Sequence, residues 1–275
     1  MSSRLEMGLA PAEVEAQDEG EVEGEGERGD GELRVAAWCV HLYTAIGLVL
    51  AAWIAVLLFR GGAEAFRGVF LLMLVASLVD ATDGTLARRV RVKSVLPRFD
   101  GRKLDDIIDF LTYTCLPLLL VWRAELLPPG MEGWLLLPLL ASAYGFCQVE
   151  AKTDDGYFLG FPSLWNVVAL YLYVLHLPGW LALGIVVVLS LLTFVPSRYL
   201  YPSSQPGALN VASNVLGAPW CVLLLVVLWR LPTAGPGSTA DGLTWWLAVA
   251  SLYFPAFYMA ASWAVTLGHL RARRA

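Results

Sequence analysis

Long apolar stretches separated by short polar connections dominate the chain from residue 35 onward. A helix needs about 20 apolar residues to cross about 30 Å of hydrocarbon. Eight stretches approach or exceed that length, near Val35–Phe59, Phe66–Arg88, Leu104–Trp122, Trp134–Glu150, Phe161–His176, Trp180–Tyr199, Ala212–Leu231 and Leu243–His269. The pattern predicts an all-α polytopic membrane protein with about eight transmembrane helices, which places both termini on the same side.

The composition favours a membrane domain. Hydrophobic residues make up 57% of the 275 residues, charged residues only 16%, and the mean hydropathy is +0.62. A soluble domain would be about 45–50% apolar and about 25% charged. The additional apolar surface therefore needs lipid as well as a protein core.

The first 33 residues differ from the rest, because they carry eleven acidic and two basic side chains. From Glu13 to Glu32 the segment is rich in Glu and Gly and has no aromatic residue. Such a segment cannot bury enough apolar surface to fold alone. We expect residues 1–33 to form a disordered acidic tail and residues 34–275 to form one transmembrane domain.

Lys and Arg are divided unequally between the two ends of the predicted helices. Thirteen fall on one side, seven of them between Arg88 and Lys103, and four fall on the other side. Connections rich in Lys and Arg remain in the cytoplasm. The sequence therefore predicts that both termini and the Arg88–Lys103 connection face the cytoplasm.

Four aspartates lie near the cytoplasmic ends of the second and third predicted helices. With 3.6 residues per turn, a helix face about 140° wide holds Asp80, Asp83, Gly84, Ala87 and Arg88. On the next helix Asp105 and Asp109 lie four residues, or about one turn, apart. A charge at the bilayer centre costs about 2.5–3.5 kcal/mol, so the shared faces indicate a functional site.

Two such helices facing each other would bring four carboxylates together, and these would repel unless cations lie between them. Oxygen ligands suit Mg²⁺ or Mn²⁺, and four acids are enough for a two-metal site that binds a phosphoryl group. The small Gly84 and Ala87 let a ligand approach the backbone, and Arg88 suits a phosphate. The alternative is that aspartates cap helices or pair with arginines, which we expect for Asp100 and Asp106.

The stretch DATDGTLARRVRVKSVLPRFDGRKLDDIIDF resembles the signature of the CDP-alcohol phosphotransferase family, D-x-x-D-G-x-x-A-R followed by G-x-x-x-D-x-x-x-D. Its fixed positions hold Asp80, Asp83, Gly84, Ala87, Arg88, Gly101, Asp105 and Asp109. Twelve residues separate the two parts. This long spacer resembles the spacer of the bacterial branch of the family that makes phosphatidylcholine. The segments Ala151–Val168 and Thr193–Pro202 are also similar to that branch, and the resemblance runs from about Trp38 to Ala264.

The resemblance implies transfer of a phosphatidyl group from CDP-diacylglycerol to choline, with CMP as the second product, by a homodimer in a bacterial inner membrane. It implies two ions, Mn²⁺ or Mg²⁺, bound by Asp80, Asp83 and Asp105. It gives Asp109 the role of general base toward the choline hydroxyl and a further ligand role. The implied contacts of the cytidine diphosphate are Asp80, Gly84, Ala87, Arg88 and Gly101.

Choline is a quaternary ammonium, which proteins bind with aromatic faces and carboxylates. The connection after the fourth predicted helix offers Tyr157, Phe158 and Trp165 with Glu150, Asp154 and Asp155, and Tyr113 follows Asp109 by one turn. From these we expect choline contacts at Tyr113, Tyr157, Trp165 and Asp154. Aromatic residues also form belts at membrane interfaces, which is the alternative for each of them.

Two other functions fit parts of the pattern. A related transferase could use glycerol 3-phosphate, inositol phosphate or serine as acceptor, although a phosphorylated acceptor would call for more cationic residues at the site. A divalent-cation transporter would place its ion site near the bilayer midplane, often in repeated halves. No second copy of the aspartate motif is present in the sequence, and no nucleic-acid partner is expected.

Overall fold

A computed structural model describes residues 12–149, 151–153, 155–201, 207–231 and 241–272, with side chains from residue 31 onward. Eleven α-helices are found in these ranges: α1 Ala12–Arg60, α2 Ala63–Val90, α3 Val92–Val95, α4 Gly101–Asp109, α5 Leu116–Arg123, α6 Leu136–Cys147, α7 Trp165–Leu175, α8 Gly179–Thr193, α9 Ala208–Arg230, α10 Gly242–Ser251 and α11 Tyr253–Ala272. A π-helical segment, Phe110–Cys115, joins α4 to α5, and a short 3₁₀ helix, Glu132–Leu135, precedes α6.

Among the residues that the structure describes, four helical segments are long and apolar enough to cross a membrane: Gly31–Arg60, Ala63–Val90, Ala208–Arg230 and Gly242–Ala272. Their outer faces carry exposed large apolar side chains such as Phe59, Trp229 and Trp246, as expected of surfaces that contact lipid. The predicted all-α class and integral membrane character are confirmed.

The count of eight spans stays a prediction. The fifth and sixth predicted spans are the helices α7 and α8, with 11 and 15 residues. At 1.5 Å per residue they are about 16 and 22 Å long, less than the hydrocarbon thickness. The third predicted span is divided into α4, the π-helical segment and α5.

The described part of α1 begins at Ala12, inside the segment for which the sequence predicts disorder. Disorder of residues 1–33 and the boundary at residue 34 stay predictions. From Ala37 onward, α1 contributes to the protein core with residues such as Ile54 and Leu58.

The main core lies between α1, α2, α5, α7 and α8. Its largest fully buried side chain is Trp165, whose indole Nε1 donates a hydrogen bond to Ser142 Oγ at 2.8 Å. On α7 the phenol of Tyr171 pairs with Ser251 Oγ at 2.8 Å and accepts a hydrogen bond from Trp220 Nε1 at 2.9 Å. Because buried polar groups need partners, these bonds fix how α6, α9 and α10 pack around α7.

A two-stranded antiparallel ribbon was not predicted from the sequence. Strand β1, Tyr157–Leu159, pairs with β2, Arg198–Leu200, with Phe158 opposite Tyr199. The outer edge of β2 is covered by α11, whose hydroxyls Thr266 Oγ1 and Ser262 Oγ accept hydrogen bonds from the backbone of Arg198 and Leu200. Three-residue strands show no alternating pattern, so their pairing depends on these tertiary contacts.

Candidate active site

The motif-bearing ends of α2 and α4 pack against α1. Tyr43 and Thr82 hydroxyls are 2.7 Å apart. Gly47 lies so close to α4 that a side chain there would overlap Ile108. The absence of a side chain at Gly47 therefore lets α4 lie close to α1 beside the carboxylates of α2.

Three of the four predicted carboxylates come together. Asp80 on α2 and Asp105 and Asp109 on α4 each place a carboxylate oxygen within 4.8 Å of the others. All three side chains are half-buried. Oxygens at this spacing and in this number fit a hard divalent cation, which needs several oxygen ligands. The one-turn spacing of Asp105 and Asp109 makes this possible, as the sequence pattern indicates.

Asp83, the fourth predicted ligand, has a different partner. Its carboxylate accepts a hydrogen bond from Thr44 Oγ1 at 2.9 Å, and the side chain is buried. It remains close enough to act electrostatically on Asp80 and Asp105. Thr44 therefore orients Asp83 at the edge of the carboxylate group, and a metal-binding role for Asp83 stays a prediction.

Asp100 is the cap of α4, as expected. Its Oδ1 accepts a hydrogen bond from the backbone N–H of Lys103 at 3.3 Å, and its Oδ2 lies 3.7 Å from the Lys103 ammonium. Within the ranges that the structure describes, no ion pair is formed by Asp80, Asp105 or Asp109. Capping thus accounts for Asp100, whereas the other three carboxylates have no ion-pair partner among the described residues.

Tyr113 contacts the carboxylate group directly, because its hydroxyl donates a hydrogen bond to Asp80 Oδ2 at 2.8 Å. Tyr113 lies in the π-helical segment Phe110–Cys115. Pro117 follows four residues after Tyr113 and has no N–H to donate to the Tyr113 carbonyl, which favours a local widening of the helix. Such π-helical turns are frequent at functional sites.

A cavity of about 900 Å³ opens beside the aspartates. Among its lining residues are the predicted nucleotide contacts Gly84, Ala87, Arg88 and Gly101, together with Asp83 and Asp105. This volume is in the range of pockets that bind a nucleotide-sized molecule. The predicted contact Asp80 is not part of the lining and lies instead in the carboxylate group.

His41 was not predicted as a site residue, yet its ring lines this cavity and is only 6% exposed. Its Nε2 has no hydrogen-bond partner within the described residues. The ring packs against Gly101, where an added Cβ would lie 3.0 Å from Nδ1. It also packs on Phe99, with ring centroids 4.4 Å apart. An isolated histidine in α1 carries no sequence pattern that would reveal these contacts.

The expected choline contacts are not all in one place. Trp165 is buried in the core with its Nε1 bonded to Ser142. Tyr157 lies on β1 under the Arg198 guanidinium, 5.7 Å from the ring centroid. Asp154 is outside the described residues, and Tyr113 is at the carboxylates. A choline-binding role for these four residues stays a prediction.

Lys152 is a second site residue that the sequence did not reveal. It lies in the connection before β1, and its positive charge acts on Asp80, Asp105 and Asp109. The same connection is fastened to β2 by an ion pair between Asp155 and Arg198. The hydrogen bond from Thr153 is the main reason that the pKa of Asp155 lies below its ordinary value, with Arg198 adding to it.

Comparison with known proteins agrees with this geometry. Residues 39–196, more than half of the chain, match the family described as CDP-alcohol phosphatidyltransferase. Phosphatidylcholine synthase of Pseudomonas aeruginosa is 42% identical over 170 residues, which cover 62% of this chain and 70% of that protein. The protein of the same name from Bradyrhizobium diazoefficiens is 36% identical over 208 residues, or 75% and 76% of the two chains.

A more distant relative, phosphatidylcholine synthase of Borreliella burgdorferi, is 32% identical over 170 residues, covering 62% of this chain and 71% of that protein. The matched region includes the three-carboxylate group, the cavity beside it and strand β1 of the ribbon. The resemblance noted in the aspartate motif is therefore confirmed over a large part of the protein. The chain belongs to the CDP-alcohol phosphatidyltransferase family.

Proposed function

We propose that this membrane enzyme is a phosphatidylcholine synthase, which transfers the phosphatidyl group of CDP-diacylglycerol to choline and releases CMP. The observation that carries the proposal is the carboxylate group Asp80, Asp105 and Asp109 beside a nucleotide-sized cavity. The relatives named phosphatidylcholine synthase support choline as the acceptor.

CDP-diacylglycerol, which donates the phosphatidyl group, lies across the cavity and the carboxylates. Arg88 donates a hydrogen bond to Thr85 Oγ1 at 3.0 Å, which holds its guanidinium along α2 at the cavity wall. From there it can bind a phosphate oxygen, while Gly84, Ala87 and Gly101 leave room for the nucleotide. The acyl chains remain in lipid, because the site lies near the end of two helices.

Choline attacks as an alcohol, which is a poor nucleophile at neutral pH. Asp109 takes the hydroxyl proton as the choline oxygen bonds to the phosphatidyl phosphorus. The bond from that phosphorus to the CMP oxygen breaks, and CMP leaves with the electron pair. Tyr113 positions Asp80 through its hydrogen bond, so that the carboxylates keep their arrangement during the reaction.

Two divalent ions, Mn²⁺ or Mg²⁺, fit the carboxylate ligands of Asp80, Asp105 and Asp109, with Asp83 at the edge of this group. When bound, they neutralise the carboxylates and the diphosphate and stabilise the leaving CMP. All ligands are oxygen atoms, which favours these hard ions over zinc or copper.

The arrangement in the membrane is part of the proposal. Eight spans, with both termini and the aspartates at the cytoplasmic side of a bacterial inner membrane, agree with the distribution of Lys and Arg. The short helix α7 is largely buried in the core and can lie within the bilayer surrounded by protein. The short helix α8 has exposed large apolar side chains such as Trp180, Val188 and Leu191, which can face lipid. We also propose a homodimer, which the resemblance to the family implies.

The test is an assay with the purified protein in detergent or liposomes, CDP-diacylglycerol, labelled choline and Mn²⁺ or Mg²⁺. Labelled phosphatidylcholine with one CMP per turnover supports the proposal. Product from glycerol 3-phosphate, inositol phosphate or serine and none from choline would contradict the acceptor and leave the family assignment intact. Ion transport without lipid product would contradict the enzyme function altogether.

A further inference from the structure

An ammonium group already lies against two aromatic rings beside the aspartates. The Lys152 Nζ is 5.7 Å from the ring centroid of Phe158 and 5.3 Å from that of Tyr201. The two rings pack on each other, with centroids 4.5 Å apart and planes at 39°. Both distances are within the range of cation–π attraction.

The backbone sets the positions of these three residues. Lys152 and Phe158 face each other in an antiparallel bridge, and the Thr153 N–H donates to the Tyr157 carbonyl at 2.8 Å. Tyr201 directly follows β2, which pairs with β1. The two rings therefore belong to connections that are far apart in sequence but joined by the ribbon.

This ring pair is close to the reaction site. The charge of the Lys152 ammonium acts on Asp80, Asp105 and Asp109 at once. An ammonium at this place is thus attracted both by the aromatic faces and by the carboxylates. Those are the two kinds of contact that a quaternary ammonium can make, since it has no N–H to donate.

We propose that Phe158 and Tyr201 form the binding site for the trimethylammonium group of choline, and that Lys152 occupies it until choline displaces the flexible lysine side chain. The choline hydroxyl would then point toward Asp109. The inference rests on the proposed use of choline and assigns its recognition to residues outside the aspartate motif. Lys152 is exposed, so its side chain can move into solvent.

A second ring pair offers a matched control. Tyr144 and Phe194 pack with centroids 4.9 Å apart and planes at 42°, nearly the geometry of Phe158 and Tyr201. Within the described residues no lysine or arginine lies over either ring. Removing a ring from this pair breaks a similar ring–ring contact without touching the proposed ammonium site.

The experiment measures KM for choline and for CDP-diacylglycerol in Phe158→Leu, Tyr201→Leu, Lys152→Met and Tyr144→Leu. We expect each leucine variant at the ammonium site to raise KM for choline about tenfold, with KM for CDP-diacylglycerol unchanged. Lys152→Met should lower KM for choline severalfold, because no internal cation competes. Tyr144→Leu should leave both constants at the wild-type values.

Three outcomes separate the possibilities. If wild-type enzyme makes no phosphatidylcholine, the proposed function fails. If it does, and Phe158→Leu and Tyr201→Leu keep the wild-type KM for choline, the ammonium site is wrong. If Lys152→Met raises KM for CDP-diacylglycerol and leaves that for choline unchanged, Lys152 binds the diphosphate and the displacement is wrong. Should a leucine variant fail to fold, Lys152→Met at its exposed position still decides the question.

Discussion

Two carboxylate groups near helix ends differ in how their charge is balanced. Asp241 caps α10, where its Oδ1 accepts a hydrogen bond from the Thr244 N–H at 3.1 Å and its Oδ2 lies 2.6 Å from Arg230 Nη2. At the site, Asp80, Asp105 and Asp109 converge without an ion pair among the described residues. The first arrangement stabilises a helix end, whereas the second leaves negative charge for a ligand to balance.

The difference shows which property of an aspartate indicates function. Both groups have a hydrogen-bonding neighbour, Thr244 in one and Tyr113 in the other. Only the site combines several carboxylates with a cavity of about 900 Å³ beside them. Convergence of like charges, rather than the presence of an acid at a helix end, is therefore the informative feature.

The largest effect should come from Asp109. In Asp109→Asn the amide cannot take the choline proton, so we expect kcat to fall about 10²–10⁴-fold, the usual contribution of a general base. Asp241→Asn is the matched control and should keep wild-type kcat. The rate of labelled phosphatidylcholine formation measures both, and equal rates for Asp109→Asn and wild type would contradict the role of Asp109.

Removal of the divalent ion should also distinguish the site carboxylates from Asp241, because only the site carboxylates should affect the ion-dependent stability of the protein. Mn²⁺ at about 100 times its Kd should stabilise the folded wild-type protein by about 2.7 kcal/mol, seen as a higher melting temperature, and EDTA should stop turnover. Asp105→Asn should lose the Mn²⁺-dependent increase because one oxygen ligand is removed. Asp241→Asn should keep it, and loss of the increase in that control would mean that the ion binds elsewhere.

Tyr113→Phe removes the hydroxyl that hydrogen-bonds Asp80 and Ser77 and keeps the ring. A hydrogen bond to a charged group contributes about 1.5–3 kcal/mol when buried, and this half-buried one should cost about tenfold in kcat. Melting temperature in the presence of EDTA should change little. A stability loss without loss of kcat would show that Tyr113 supports the fold and not the carboxylate arrangement.

Gly101→Ala tests the cavity next to the carboxylates. The new Cβ would overlap the His41 ring, so the ring or α4 must move, and we expect KM for CDP-diacylglycerol to rise about fivefold. The double variant Gly101→Ala with His41→Ala should recover part of that loss because the overlap is relieved. No recovery would mean that His41 itself contacts the donor or that α4 has shifted.

The substitution Asp241→Asn should have the smallest effect, and it should change only the stability of the protein. Its hydrogen bond from Thr244, and next the one from Arg230, hold the pKa of Asp241 below its ordinary value. A lowered folded-state pKa stabilises the protein above the unfolded-state pKa, and this is lost as pH falls through the lowered value. Wild type should therefore melt slightly above Asp241→Asn at neutral pH, and the difference should vanish in strong acid. A difference that persists there would exclude this origin.

Local pattern was enough to predict much of the fold and the motif. Apolar length located the long helices, and 3.6-residue periodicity predicted that Asp105 and Asp109 share a face with room for Asp80 opposite. Asp100 was correctly expected as a cap. These features depend on residues within one or two turns of each other, which a sequence displays directly.

What the sequence did not reveal depends on contacts between distant segments. Thr44 binds Asp83 from 39 positions away, and nothing around Thr44 indicates it. The π-helical segment places Tyr113 on Asp80, although Pro117 could have indicated an irregular helix there. Lys152 was counted only for its charge, because its closeness to Phe158 and Tyr201 arises from the pairing of β1 with β2.

That ribbon also dictates an order of assembly during synthesis. The aspartates and the cavity need only α1 to α4, which leave the ribosome early. The ribbon needs β2, and the edge of β2 needs the hydroxyls of Ser262 and Thr266 on α11, which emerge much later. The nascent chain therefore contains all the residues of the carboxylate group and the cavity well before it contains those that form and cover the ribbon.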